Sequence, residues 1–401
     1  MDLIIKLKTH YSLILYYTMD ELIPMGKVIK ENPRVKELEK QGFIIKPERI
    51  DEYLNSFKNR VSAFPNKELW NNKRVLITGI SGFAGSHLAE QLLDLGCEVH
   101  GTIRRHAVPM HENIEHLRGK IILHEADITS SERILSVFEE IRPNAVFHLA
   151  AESFVPTSFR EPVRVSSNNI EGTIKIFEAA RRFDDDLTSI HVACSSEQYG
   201  LVDPNEVPVT EDIKRNPFRP RSIYGISKCA TEQIAWLYHN AYGVPSIITR
   251  GFNHEGPRRG IQFVTSVIHR QVVEILENKR ENIIIGNPNA IRDFTHVKDT
   301  VNAYILASEK KIIGDPLNVC SGKGITIADY VKLAKSTFNL KNKVFIDPKR
   351  LRPSEVPLLI GRNEKIIQKT GWLPTRTVID IIKEGVQYFQ EHQEQLGIEA
   401  H

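Results

Sequence analysis

The sequence predicts an α/β fold: a doubly wound parallel sheet covered by helices, with a smaller cap at the C-terminal end. Two observations predict it. From residue 74 to residue 252, short apolar runs alternate with amphipathic helical windows, and a glycine-rich turn follows the first run. Continuous apolar strands that alternate with helices indicate a parallel sheet buried on both faces. After Asn253 the elements become shorter and prolines recur, which predicts the cap.

The elements of the sheet follow from the spacing of the apolar residues. A short unbroken apolar run predicts a strand, and apolar residues that recur every three or four positions predict a helix. The predicted strands are 75–78, 97–103, 121–124, 145–151, 189–194 and 246–252. The predicted helices are 87–95, 131–141, 173–182 and 224–242.

Three regions are predicted along the chain: a helical N-terminal extension at 1–70, a dinucleotide-binding domain at 71–252, and a cap at 253–401 that is interleaved with the last core elements. In the extension, residues 33–41 and 47–57 have helical spacing but only a thin apolar stripe. We therefore expect an arm that packs on its own or a neighbouring subunit, and we assign it no chemistry.

Composition limits the classes of protein. The chain has 401 residues, of which 41% are hydrophobic and 26% charged, and a formal net charge of +3. This is typical of a globular protein, and a nucleic-acid binder would usually be more basic. The four cysteines form no CxxC pair, so we expect a reduced, cytoplasmic compartment and no metal site. The apolar run at 9–19 is too short to cross a bilayer, so no membrane partner is expected.

A glycine-rich turn follows the first predicted strand and opens a helix. Its predicted cofactor-binding residues are Gly79, Ile80, Ser81, Gly82, Phe83, Ala84 and Gly85. Three glycines at this spacing allow a tight turn and close approach of a pyrophosphate to the helix N-terminus. The alternative is a turn that merely needs glycine. The strand before it and the helix after it favour the dinucleotide site.

The residues after the second strand predict NADP rather than NAD. An NAD enzyme would have an acidic residue there to bind the ribose, and this sequence has Arg104 and Arg105 instead. Paired guanidinium groups suit a 2′-phosphate. The alternative is two solvated surface arginines.

Tyr224 and Lys228 stand four residues apart and so share one face of a predicted helix. A nearby cation lowers the pKa of a phenol, which would allow Tyr224 to act as an acid or base. The same spacing occurs by chance in surface helices. Here it follows a strand that ends at Ser195 and Glu197, within a chain that already has the nucleotide turn.

Residues 73–392 resemble the extended short-chain dehydrogenase/reductase family, and within it the nucleotide-sugar enzymes that act on GDP-mannose. The segments that carry the resemblance, besides Tyr224 and Lys228, are TGISGFAG (78–85), LAAES (149–153), SSEQYG (195–200), FNHEGPRRG (252–260) and RPSEV (352–356). The resemblance implies a nicotinamide cofactor and a nucleotide-sugar substrate.

The resemblance also implies roles for single residues. Ser195 would bind the reacting sugar oxygen, Tyr224 would be the base, and Lys228 would bind the nicotinamide ribose. Glu197 would handle the proton on C5; without its neighbours it would be read as a salt-bridged loop acid. The further cofactor contacts implied are Asp127, Ile128, Leu149, Ala151, Ser153, His254 and Arg259. The substrate contacts implied are Asn253, Arg292, Arg352 and Glu355.

The predicted function is that of a 4,6-dehydratase which converts GDP-mannose to GDP-4-keto-6-deoxymannose through bound NADP. We expect a homodimer or homotetramer. Three alternatives remain open: a reductase of the 4-keto product, a nucleotide-sugar 4-epimerase, and a non-catalytic NADP-binding protein. Retention of Ser195, Tyr224 and Lys228 argues against the last.

Overall fold

The computed structural model describes residues 17–18, 31–104, 112–183, 185–351 and 354–393. Its strands are β1 (Tyr17–Thr18), β2 (Arg74–Thr78), β3 (Glu98–Ile103), β4 (Ile122–Glu125), β5 (Ala145–His148), β6 (Ser189–Ser195), β7 (Ser246–Gly251), β8 (Asn253–Glu255), β9 (Ile283–Ile285), β10 (Ile291–His296), β11 (Leu317–Val319), β12 (Gly324–Thr326), β13 (Val344–Ile346) and β14 (Leu358–Leu359).

The α-helices are α1 (Pro33–Lys40), α2 (Ile50–Asn55), α3 (Lys67–Trp70), α4 (Phe83–Asp94), α5 (Ser131–Ile141), α6 (Val155–Arg160), α7 (Pro162–Ser166), α8 (Gly172–Arg182), α9 (Ile223–Tyr242), α10 (Val264–Leu276), α11 (Val297–Glu309), α12 (Ile327–Thr337), α13 (Glu364–Thr370) and α14 (Val378–Glu391). Short 3-10 turns are Pro47–Arg49, Glu112–Leu117, Ser196–Gln198, Pro204–Glu206 and Pro348–Arg350, and Ser167–Glu171 is a π turn. No helix in these described ranges is long and apolar enough to span a membrane.

Seven parallel strands form the central sheet, in the order β11-β7-β6-β5-β2-β3-β4. Helices α4 and α11 pack on one face, and α5, α8 and α9 pack on the other. The predicted doubly wound Rossmann fold is therefore confirmed. The chain runs outward from β2 to β4 and then returns to β5, beside β2. This reversal opens a crevice at the carboxyl ends of β2 and β5, where such folds bind ligands.

Two predicted boundaries differ from the structure by three or more residues. The predicted helix at 87–95 begins earlier, at Phe83, because Gly82 is its N-cap, and Gly85 and Ser86 in the first turn interrupt the apolar spacing. The strand predicted at 145–151 ends at His148. Residues 149–151 leave the sheet and turn into the crevice.

The cap contains two small sheets. One has the order β12-β10-β14, with β8 also paired to β10, and the other has the order β1-β13-β9. Helices α10, α12 and α14 pack with β9, β10, β12 and β13 in one apolar cluster. Strand β11 lies between cap strands in the sequence but pairs with β7 of the large sheet.

Residues 31–70 of the N-terminal extension pack on their own chain. Val35, Leu38, Ile44, Phe57 and Trp70 are all buried. The helical spacing predicted at 47–57 corresponds to a 3-10 turn that leads into the short helix α2.

A buried ion pair connects the large sheet to the turn that follows β6. Arg250 of β7 donates to both carboxylate oxygens of Glu232 on α9, over 2.6 and 2.9 Å. Gln198 donates to Glu232 over 2.8 Å, and Arg250 also donates to the Tyr199 hydroxyl over 2.8 Å. Tyr199 in turn donates to Asn318 over 2.7 Å. All five side chains are buried, so neither charge has water as an alternative partner.

Replacing Glu232 by Ala should lower the free energy of unfolding by about 3–5 kcal/mol, because the Arg250 charge would stay buried without its partner. Chemical denaturation with a calorimetric check would measure this. The double replacement of Glu232 and Arg250 by Leu is the control and should recover most of the loss. A loss below about 1 kcal/mol, the value of a surface pair, would contradict the importance of this pair.

Candidate active site

The glycine turn between β2 and α4 forms one end of a cleft at the carboxyl edge of the large sheet. Gly79 has φ +74°, and a Cβ there would lie 3.0 Å from the backbone of Ala150. A Cβ on Gly85 would lie 2.3 Å from the Gly79 carbonyl oxygen. Both positions need glycine, and Gly82 at the N-cap has no side chain to occupy the first N–H groups of α4. The turn therefore fits the pyrophosphate of a dinucleotide.

Most predicted cofactor contacts from the first half of the chain line this cleft. They are Gly79, Ser81, Gly82, Phe83, Ala84, Gly85, Arg104, Ile128, Leu149, Ala151 and Ser153. Ile80 is instead fully buried beneath the turn, where it packs against Gly101. Asp127 lies beside the cleft and accepts hydrogen bonds from the backbone and hydroxyl of Thr129 over 2.8 and 2.7 Å. Arg105 lies outside the described residues.

Ser195, Tyr224 and Lys228 meet on the floor of the cleft. Ser195 ends β6, and the other two residues face the cleft from successive turns of α9. The Ser195 hydroxyl is close enough to the Tyr224 hydroxyl to lower the pKa of the phenol. The Lys228 Nζ donates to the Ala193 carbonyl over 2.7 Å and lies 5.9 Å from the centre of the Tyr224 ring. The predicted trio therefore shares one site.

Burial affects the pKa values of both titratable groups in this trio. It raises the pKa of Tyr224 to about 12, although the Ser195 hydrogen bond and the Arg259 charge act in the opposite direction. It lowers the pKa of Lys228. Both shifts arise because water no longer stabilises the charged form. The phenol therefore carries its proton at neutral pH, and positive charge brought into the cleft would favour the phenolate.

Glu197 lies on a short 3-10 turn directly after Ser195 and lines the same cleft. The Glu197 backbone N–H donates to the Ser195 hydroxyl over 3.2 Å, and the Ser195 N–H donates to the Gln198 side chain over 2.9 Å. Gly225 allows α9 to pack close to this turn, since a Cβ there would lie 2.8 Å from the Glu197 carbonyl oxygen. Besides burial, the Glu197 charge also raises the pKa of Tyr224. The carboxylate is therefore near enough to the phenol to affect its charge.

Three predicted substrate contacts lie on the cap side of the cleft. Arg292 of β10 and Glu355 form an ion pair with a distance of 2.8 Å from Nη2 to Oε1. Both side chains line the cleft, and so does Asn253 of β8. The sequence predicted Arg292 and Glu355 as separate anchors, and the structure brings them together. Arg352 lies outside the described residues.

His254 and Arg259 lie against the glycine turn. The His254 ring is parallel to Phe83, with a centroid distance of 5.8 Å and an interplanar angle of 4°. The Arg259 guanidinium carbon lies 5.0 Å from the Phe83 ring and 3.5 Å from the Phe263 ring, and its Nε is 3.3 Å from Glu255. Burial, aided by the Arg259 charge, lowers the pKa of His254 to about 4, so this imidazole is neutral at neutral pH.

The cleft has a volume of about 1050 Å³ and continues from the glycine turn into the cap. Its cap end contains basic residues that the sequence analysis missed: Arg270, Arg280, Lys349 and Arg350. Arg270 and Arg280 both pair with Glu274 of α10. No spacing pattern separates these residues from ordinary surface cations, which is why they were missed. The positive charge suits an anionic substrate.

Comparison with known proteins agrees with this architecture. A family model described as GDP-mannose 4,6 dehydratase matches residues 76–385. The chain is 34% identical over 359 residues to GDP-mannose 4,6 dehydratase 2 of Caenorhabditis elegans. The match covers 82% of this chain and 92% of that protein.

Solved structures show the same fold. A UDP-glucose 4-epimerase from Thermus thermophilus in complex with NAD is 27% identical, with a TM-score of 0.69 over 79% of this chain and 99% of that one. RMD from Pseudomonas aeruginosa complexed with NADPH is 24% identical, with a TM-score of 0.67 over 80% of this chain and 100% of that one.

The glycine turn, the Ser195, Tyr224 and Lys228 site, and the extent of the family match lead to one assignment. The chain belongs to the GDP-mannose 4,6-dehydratase family, within the extended short-chain dehydrogenases and reductases.

Proposed function

We propose that this protein is an NADP-dependent 4,6-dehydratase that converts GDP-mannose to GDP-4-keto-6-deoxymannose. The observation that carries the proposal is the presence of Glu197 in the same cleft as Ser195, Tyr224 and Lys228. A reductase needs only one proton-transferring group at C4. Elimination of water also needs a second base, positioned for the proton on C5.

In the proposed reaction, Tyr224 and Glu197 each accept a proton from the sugar and later return it. Tyr224, as the phenolate that the positive charge of an oxidised nicotinamide in the cleft would favour, accepts the proton of the C4 hydroxyl, which Ser195 orients through a hydrogen bond. The resulting ketone makes the C5 proton acidic, and Glu197 removes it. Glu197 then gives that proton to the C6 hydroxyl, which leaves as water, and Tyr224 returns its proton to C5. A nicotinamide bound in the cleft would supply the matching redox chemistry, as the acceptor of a hydride from C4 and its donor to C6.

The cap provides the charges that a nucleotide diphosphate requires. We propose that Arg292 binds the diphosphate, because a guanidinium group can donate two parallel hydrogen bonds to phosphate oxygens. Arg270 and Arg280 add positive charge at the same end of the cleft. Glu355, which is paired with Arg292, would accept hydrogen bonds from the nucleotide ribose. We propose that Arg352, in the same segment, is a further diphosphate contact.

The choice of NADP depends on the end of β3. Arg104 is exposed, lines the cleft, and follows β3 where an NAD enzyme has an acidic residue. The charge of Arg104 also affects Asp127. Burial acts to raise the pKa of Asp127, but the hydrogen bonds from Thr129 and the charge of Arg104 lower this pKa below its usual value. We therefore propose that Arg104, together with Arg105, binds the 2′-phosphate.

We also propose a homodimer or homotetramer. Trp236 and Leu237 on the outer side of α9 are 52% and 54% exposed, and Val163 on the adjacent helix α7 is 81% exposed. Exposed apolar groups collected on neighbouring helices are typical of a protein interface. The proposed compartment is the cytoplasm, which agrees with the free thiols of Cys97, Cys194, Cys229 and Cys320.

Tyr224→Phe and Glu197→Gln should stop the reaction at different points. Tyr224→Phe keeps the ring but removes the proton acceptor, so turnover should fall by at least ~100-fold, the low end for general acid–base catalysis, without oxidation at C4. Glu197→Gln keeps the volume but cannot accept the C5 proton, so oxidation at C4 should continue while water loss stops. Near-ultraviolet absorbance of the reduced nicotinamide, together with product mass, would distinguish the two outcomes.

The matched control for the second variant is Glu139→Gln, which removes an exposed acid on α5 and should leave turnover unchanged. Normal product formation by Glu197→Gln would contradict the dehydratase assignment. A requirement for one NADPH in each turnover would favour the reductase instead.

Arg104→Ala should weaken NADP binding by about 1.5–3 kcal/mol, the range for a hydrogen bond to a charged group, and leave NAD binding unchanged. Titration calorimetry with both cofactors measures the difference. Arg118→Ala, an exposed arginine on the surface, is the matched control. Equal affinity of the unmutated protein for NADP and NAD would refute the preference.

A further inference from the structure

The N-terminal extension lies outside the region that matches the family and takes no part in the proposed reaction. The family match begins at residue 76. Residues 33–70 nevertheless form a continuous segment that is bound to the rest of the chain along its length. We call this segment the strap.

The first part of the strap packs behind two walls of the cleft. Val35 and Leu38 of α1 are 1% and 0% exposed. They belong to one buried apolar cluster with Tyr199, which follows Glu197 by two residues, and with Val356, which follows Glu355. The Arg34 guanidinium also donates to the Val207 carbonyl over 3.1 Å. Helix α1 therefore shares an apolar core with both segments, and neither Val35 nor Leu38 lines the cleft.

The next part of the strap extends the cap sheet. Ile44 forms a parallel bridge with Gly324 of β12. The Ile45 N–H donates to the Gly324 carbonyl over 2.7 Å, and the Gly324 N–H donates to the Phe43 carbonyl over 2.8 Å. Strand β12 pairs with β10, and β10 carries Arg292. The strap is thereby bridged to the edge of the sheet that carries the proposed diphosphate anchor.

The last part of the strap continues from the cap to the large sheet. The Tyr53 hydroxyl accepts a hydrogen bond from the Val378 N–H of α14 over 3.1 Å. The Ala63 N–H donates to the Gly371 carbonyl over 3.0 Å. The Trp70 indole donates to Glu309 of α11 over 3.1 Å. One segment is therefore attached both to the cap and to the nucleotide-binding domain.

We propose that the strap positions the substrate side of the cleft, and that Val35 and Leu38 are positioning residues for Glu197, Arg292 and Glu355. They act through Tyr199, Val356 and the cap sheet, without touching the substrate. The cofactor side is held by β2 and α4, which pack in a different apolar cluster that includes Trp70 of the strap but neither Val35 nor Leu38. Loosening α1 should therefore affect substrate binding and leave the dinucleotide site unchanged. The choice of substrate in this inference depends on the proposed function.

The test compares Leu38→Ala with Lys36→Ala, which changes an exposed residue of the same helix. In hydrogen–deuterium exchange, Leu38→Ala should speed exchange at residues 196–202 and 354–360 and leave residues 79–85 as in the unmutated protein. Affinity for GDP, measured by calorimetry, should fall by about tenfold, since misplaced positioning groups can cost up to ~100-fold. Affinity for NADP should stay the same, and Lys36→Ala should change neither affinity.

Val35→Ala removes less volume and provides the same test if Leu38→Ala does not fold. Unchanged exchange at both cleft segments in a folded variant would overturn the inference, and so would equal loss of GDP and NADP binding. Failure of the unmutated protein to bind GDP would count against the proposed substrate, whereas the exchange measurement would still decide the role of the strap.

Discussion

The buried pair of Arg250 and Glu232 is the constraint on which the rest of the site depends. Two charges in the core are stable only if each is fully satisfied, and here Gln198 and Tyr199 supply the remaining partners. The same Gln198 side chain accepts from the backbone of Ser195. The end of β6 and the start of the next turn are thereby held at fixed positions relative to α9, which carries the proposed base.

The side chains that stabilise the site, Arg250 and Glu232, are different from those proposed to take part in the reaction. Neither residue of the ion pair lines the cleft. Tyr224 and Lys228 project from the same helix as Glu232 into a buried pocket, where loss of water raises the pKa of the phenol and lowers the pKa of the ammonium. A rigid support of this kind keeps reacting groups aligned without using their own hydrogen bonds.

The sequence was sufficient to predict the structure where a local pattern of residues determines the local conformation. Gly79 is required by its φ of +74° and Gly85 by a backbone contact within the turn, and the apolar strands β2, β5, β6 and β7 are buried on both faces. It was insufficient where contacts join distant residues. The pairing of Arg292 with Glu355 spans 63 positions, and the basic residues at the cap end share no motif. The thin stripe of the extension left open whether this arm packs on its own or a neighbouring subunit, and Leu38 is fully buried in a cluster with residues far along its own chain.

The central claim is that one cleft performs oxidation, elimination and reduction without net use of cofactor. The most direct measurement is incubation of the unmutated protein with GDP-mannose and a trace of NADP in deuterated water. The product should be lighter than GDP-mannose by the mass of water, about 18 Da before correction for one deuterium at C5. It should form without an added reductant. Unchanged GDP-mannose under these conditions, or product without deuterium at C5, would contradict it.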